Sequence, residues 1–222
     1  MMEERDTIAT PARRESPRQS DALRSGAAVM RSLTSLPVVD LTIDKVHMLA
    51  AFEPDENEHM RRSGLDVGAV TSTALLHGLW LLPADVPVPV DEVPDHKRHR
   101  LEQARHFVDV ADACFERLYS PPGAVRAVAF VGTRLSRSLQ QAARFTPIVQ
   151  RFAVSDGPMR LSTSATRNAQ QRGVGLVEHV DGTPRVLLAP RPPKRGVPAV
   201  YRWWMAELAY SNWLYESAQP VS

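Results

Sequence analysis

The 222-residue chain has one cysteine, Cys114, and three lysines, Lys45, Lys97 and Lys194. A single thiol excludes an intrachain disulfide and any zinc site built on thiolates, and it fits a reducing compartment. With lysine scarce, positive charge is carried by arginine. Long apolar runs are absent too. The most apolar stretch, VTSTALLHGLWLLPADVPVPV, is broken by His77, Asp85 and three prolines, so no membrane span is expected. The first 26 residues carry charges, Pro and Ser without an apolar segment, so no secretory signal is expected and the location read from the sequence is cytoplasmic. GxSxG, GK[ST], HExxH and GxGxxG are all missing, which removes the usual signatures of serine hydrolases, P-loop proteins, zincins and dinucleotide binders. No cofactor is expected.

What is present is a split of charge. Residues 1–119 hold 14 basic and 20 acidic side chains, while residues 120–222 hold 13 basic and 5 acidic ones. Between Ser120 and Arg172 eight arginines (126, 134, 137, 144, 151, 160, 167 and 172) face the single Asp156. Such a half suits an acidic partner: nucleic acid, an acidic protein surface, or the chain's own N-terminal half.

Along the chain, residues 1–27 are polar and lack aromatics, and the expectation is a disordered tail. Residues 28–82 suggest a helical region, with DLTIDKVHMLAAF starting a helix near Thr42 or Asp44. Within it, MRRSGLDVGAVTSTALL has the outline of a helix-turn-helix, but its second helix offers no Arg, Lys, Asn or Gln to read bases. Residues 83–94, rich in proline, form the expected linker. The remaining 95–222 are expected to be an α/β domain. A helix is expected over DHKRHRLEQARHFVDVADACFERLY, with His99, Glu102, His106 and Asp109 in steps of three and four on one face, where they could meet one metal ion. From Ala124, strands and helices alternate: AVRAVAFVG as a buried strand, a helix from about Ser136, a second helix STSATRNAQQRG, and a hairpin turned at Asp181-Gly182. Gly173 is expected to end the second helix in the left-handed conformation, and Gly175 to allow a close approach. The last helix, GVPAVYRWWMAELAYSNWLYE, is apolar nearly all round and suits a core or a homodimer contact.

The segments SLQQA and GVGLV, with the strand before them and the hairpin after, resemble the second half of a restriction-endonuclease-like PD-(D/E)XK domain. That resemblance covers roughly residues 124–190. It implies a degenerate copy, because Ala129 and Val131 stand where the family carries Glu and Lys, and Pro94-Asp95 lies at a helix start. The overall expectation is an α/β (α+β) chain in which a helical region precedes a small mixed-sheet domain. The function expected is that of a non-catalytic nucleic-acid-binding or regulatory accessory protein. Its contacts would be Arg134, Arg137, Arg144, Arg191, Lys194 and Arg195, the last three in the basic loop APRPPKRG. Two alternatives stand beside it: a protein-interaction module working through the aromatic C-terminal helix, and a metal-dependent nuclease or hydrolase using the acids of 95–116.

Overall fold

The computed structural model describes residues 17–132, 134–145, 148–181, 183–193, 196 and 198–218, with backbone alone for 17–23 and Asp156. The fold is α/β: a six-stranded mixed sheet between two helical layers, with a smaller unit inserted in one connection.

The first two strands lie where a helix was expected. Strands β1 (Val38–Ile43) and β2 (Val46–Pro54) form an antiparallel hairpin, turned at Asp44 and Lys45 with φ of 50° and 64°. Asp tolerates the left-handed conformation that a tight hairpin demands, so the turn forms without glycine. β2 is buried on both faces from Met48 to Phe52, which removes the apolar–polar alternation that marks a half-buried strand. Helix α1 (Pro17–Leu33) precedes the hairpin, so residues 17–27 are helical, correcting the expectation of a disordered tail for that part. Its Val29 and Met30 pack with Leu49, Ala51, Ala129, Val154 and Val177 across one face of the sheet. Amphipathic packing orders this segment although its composition is polar. Residues 1–16 lie outside the described residues.

The sheet continues with β6 (Gly123–Val131), β7 (Gln150–Asp156), β8 (Gly175–Val180) and β9 (Thr183–Leu188), in the order β1-β2-β6-β7-β8-β9. β6, β7 and β8 are parallel, and β9 returns antiparallel. Helices α5 (Leu135–Arg144) and α6 (Thr163–Arg172) make the two crossovers. Leu139, Ala142 and Ala169 bind them to the sheet face opposite α1. Helix α7 (Ala199–Ser217) joins the same layer through Met205, Ala206, Ala209 and Tyr210. Gly173 ends α6 at φ 66°, and a Cβ on Gly175 would lie 2.7 Å from the Phe152 ring, so both glycines serve the backbone geometry expected of them.

Residues 55–122 form the inserted unit. It contains α2 (Glu56–Gly64), α3 (Thr73–Leu81), α4 (Asp95–Gln103) and a small sheet of β3 (Val88–Pro89), β5 (Cys114–Arg117) and β4 (Val108–Ala111). The expected long helix from 95 thus stops at Gln103. Its second half is a β4–β5 hairpin turned at Asp112 and Ala113, with φ of 51° and 57°. The expected linker is no spacer either, because Val88 pairs with Phe115 and Val93 is buried. The unit has its own core around Leu76, Leu79, Leu101 and Phe115.

A buried charge network ties the unit to α7. Arg62, fully buried, donates from Nε to Glu58 Oε1 at 2.7 Å. It grips Glu207 with two bonds of 2.9 and 2.8 Å, and it reaches the carbonyls of Gly68 and Ser120. All five guanidinium donors are used. Glu207 also accepts from Val70 N at 2.7 Å and from the Tyr119 hydroxyl at 2.9 Å. The rings of Phe107, Tyr119 and Tyr210 surround the cation at 5.1 to 5.6 Å. Arg62 is pushed towards deprotonation by burial, but its two carboxylate partners outweigh that and raise its pKa; burial chiefly raises that of Tyr119.

Candidate nucleic-acid interface

The eight arginines of 126–172 divide by role. Arg126 pairs with Glu53 across the β2–β6 edge. Arg151 is buried and donates to the carbonyls of Ala142 and Phe145 at the end of α5 and of Arg172 at the end of α6. One guanidinium thereby closes the C-termini of both helices, satisfying carbonyls that lack an intrahelical donor. Desolvation lowers its pKa. The other six, Arg134, Arg137, Arg144, Arg160, Arg167 and Arg172, are exposed on α5, on α6 or on the segment that leads into α6.

Helical spacing sets the pattern. Arg137 and Arg144 are seven residues apart on α5, with Gln140 and Gln141 between them, so they lie on one stripe. Arg167 and Arg172 project from α6 with Asn168, which accepts from Arg172 Nε at 2.6 Å. Neither helix carries an acidic residue. Between them runs a groove of about 500 Å³, lined by Ser136, Gln140, Arg160, Ser164, Asn168 and Arg172 among others. Two cations, two hydroxyls and two amides stand there beside Leu135, Leu139 and Ala165, and with no carboxylate the lining can meet phosphate oxygens and disfavours a cation.

Of the residues singled out from sequence, Arg134, Arg137 and Arg144 stand on α5 as one group. Arg191 is exposed beyond β9, and its amide donates to Gly173 O at 3.2 Å, which sets it beside the C-terminal end of α6. Lys194 and Arg195 lie outside the described residues. Arg160, Arg167 and Arg172 stood among the eight arginines of 126–172 read from the sequence as contacts, without being singled out. The signal was there in the charge count, but choosing among eight arginines needs the two crossover helices laid side by side. No sequence signal marked Arg151 as a clamp.

The four candidate metal ligands are not brought onto one helix face. His99 and Glu102 sit on α4, His106 in the following turn and Asp109 on β4, because the helix that would have aligned them ends at Gln103. His99 and Glu102 approach to 3.9 Å and both are solvent-exposed. Among the described residues no group of three or more His, Cys, Asp or Glu is arranged to hold a metal ion. Ala129 is buried under α1 with Val29 and Met30, and a Cβ on Gly26 of α1 would lie 2.4 Å from Val131. The helix-turn-helix outline also dissolves: α3 begins only at Thr73, and Leu76 and Leu79 turn it into the core of the inserted unit. The aromatic helix α7 spends Trp203, Trp204 and Trp213 on internal packing and leaves Tyr201 and Tyr215 exposed. Among the described residues no helix is long and apolar enough to cross a membrane.

No family model, curated protein or solved structure matches the chain. The reading of its function therefore rests on its own residues.

Proposed function

We propose that the protein is a non-catalytic nucleic-acid-binding accessory protein that grips the phosphate backbone with the α5–α6 face. The observation that carries this reading is the set of six exposed arginines on two adjacent helices and the segments that lead into them, with no acidic residue on either helix. Guanidiniums match phosphate oxygens in bidentate geometry, and each phosphate they neutralise releases counterions. Gln140, Asn168 and the serines of the groove supply hydrogen bonds that any sequence can meet, so binding is tolerant of sequence. The succession of β6, α5, β7, α6 and the β8–β9 hairpin supports the resemblance to a restriction-endonuclease-like domain. Ala129 and Val131 offer neither a metal ligand nor a proton carrier, so the domain binds and does not cut.

The test is a salt titration of duplex binding by the wild type and by an Arg137→Ala/Arg144→Ala/Arg167→Ala variant. The wild type gives a steep fall of log K with log salt, by ~0.9 for each phosphate contact. The variant weakens binding alike on unrelated sequences and flattens the slope by about two to three units. Absence of wild-type binding even at low salt overturns the reading and leaves the arginine face to an acidic protein surface.

A further inference from the structure

The groove between α5 and α6 is lined in two layers. Leu139 is only 5% exposed and belongs to the core beneath the helices, while Leu135 and Ala165 are half-buried. Gln140, Arg160, Asn168 and Arg172 line the same groove and are exposed. The groove therefore has an apolar floor and a polar, cationic rim. A grip on phosphates uses the rim and leaves the floor in water, where apolar surface is disfavoured.

Helical spacing builds both layers. Leu135 and Leu139 stand four apart on α5, and Ser136 and Gln140 form the row beside them. On α6, Ala165, Asn168 and Arg172 follow at steps of three and four. Arg172 Nε donates to Asn168 Oδ1 at 2.6 Å, which leaves the Asn168 amide N–H groups and the terminal nitrogens of Arg172 for a ligand. Gln140 adds a carbonyl and two N–H donors. A volume of about 500 Å³ lies within the range of small-ligand sites and admits a planar base with its sugar.

The two layers together narrow the occupant. An inorganic anion covers none of the floor, and a purely apolar ligand takes the rim out of water without pairing it. A nucleotide meets both, with a flat face, an edge of donors and acceptors, and a phosphate. In a duplex the faces are stacked and the edges paired, so a base reaches the floor only by being flipped out, against the cost of unstacking and unpairing. A single strand meets no such cost.

We propose that the α5–α6 groove seats an unpaired nucleotide, so that the protein prefers a single strand to a duplex. The base lies on Leu135, Leu139 and Ala165, its edge meets Gln140 and Asn168, and Arg160 and Arg172 hold the neighbouring phosphates. The proposal rests on the reading that this face meets nucleic acid, and it names the form that is met. Every base has a face to lay on the floor, so the seat tolerates sequence. DNA and RNA strands share this chemistry.

Fluorescence anisotropy with the full chain tests it, at one salt concentration throughout. The probes are a labelled DNA strand without self-complementarity, the same strand annealed to its complement, and the same strand made abasic. The wild type is expected to bind the intact strand at least tenfold more tightly than either of the others. Ala165→Leu, a good helix former that fills the floor, lowers strand affinity to the duplex level and leaves duplex affinity and Tm unchanged. Duplex bound as tightly as strand, or abasic strand bound as tightly as intact strand, overturns the seat and leaves the arginine grip standing. A full strand preference in Ala165→Leu does the same. The abasic comparison decides the matter without any variant, should that one fold poorly. Binding of neither strand nor duplex removes the nucleic-acid reading and the seat with it. Binding of the strand alone keeps the seat and removes the grip on duplex. An RNA strand of the same sequence separates the sources: tighter binding than DNA assigns the seat to RNA, and weaker binding assigns it to DNA.

Discussion

Replacing Arg62 by Met is the most severe single change the fold offers. The thioether fills much of the same space but leaves Glu207 as a buried carboxylate without its cation, while Glu58 keeps Arg61, and strips donors from the Gly68 and Ser120 carbonyls. Breaking a buried ion pair by removing one partner costs about 3–5 kcal/mol, because the remaining charge stays out of water. For a chain of this size each kcal/mol moves Tm by about 2–4 °C, so the expected loss is roughly 6–20 °C. In urea, at a slope of about 3 kcal/mol per molar, the midpoint falls by roughly 1–1.7 M. Tryptophan fluorescence reads both, since Trp203 lies 5.1 Å from the Tyr119 ring that stacks on Arg62. Adding Glu207→Leu to Arg62→Met restores part of the loss by removing one orphaned charge. It does not restore all of it, because Val70 N–H and the Tyr119 hydroxyl lose their acceptor, at about 1–3 kcal/mol each. A deficit below about 1 kcal/mol in the single variant would refute the argument, since a solvated network would tolerate the change.

Further outcomes follow from single contacts. Tyr119, held protonated by burial and by its bond to Glu207, keeps its proton above pH 10 while the unfolded chain releases its own; the stability it lends is whole below pH 10 and falls above it by up to ~1.4 kcal/mol per pH unit, a slope that Tyr119→Phe removes in alkaline denaturation curves. Met30→Ala, beneath α1, costs about 2–5 kcal/mol by urea denaturation, and truncation to residue 34 exposes Leu49, Ala51 and Ala129 and lowers the Tm rather than leaving it unchanged. Arg151→Met frees the C-terminal carbonyls of α5 and α6, so hydrogen exchange accelerates in both helices and duplex affinity drops although no exposed arginine has been touched. Gly173→Ala costs at least about 1 kcal/mol in thermal unfolding, from the left-handed backbone and a Cβ set 3.0 Å from Arg191.

The second half of the chain was legible because its punctuation is conventional. Asp181 lies at the hairpin turn with φ 52°, Gly173 closes α6, and the runs on β6 and β8 are short and apolar. The first half hid two hairpins. Asp44-Lys45 and Asp112-Ala113 turn with positive φ, as Asp181 does, but without a glycine to announce it. Asp44, Asp112 and Asp181 share φ values of 50°, 51° and 52°, so an Asp between two apolar runs was the signal available. β2 then disguised itself by being buried on both sides, and VDVADACFE read as helix because its charges also recur at helical spacing. Of the interface, the charge excess was legible but its layout was not: a count of arginines cannot separate the clamp Arg151 from the exposed Arg144 seven positions earlier. The Arg62–Glu207 bond joins residues 145 positions apart and leaves no local trace.

The insertion between β2 and β6 also bears on the order in which the chain condenses. The Asp55 amide donates to the Pro122 carbonyl at 2.9 Å, so the unit begins and ends at one point. Pairing Phe52 with Val125 would otherwise require closing a loop of the whole intervening length before any ladder bond repays it. Once the unit's helices and hairpin have closed on near neighbours in sequence, β2 and β6 meet as though joined by a short turn. The loop closure that the central sheet requires is thus spanned by a segment that contributes no strand to that sheet.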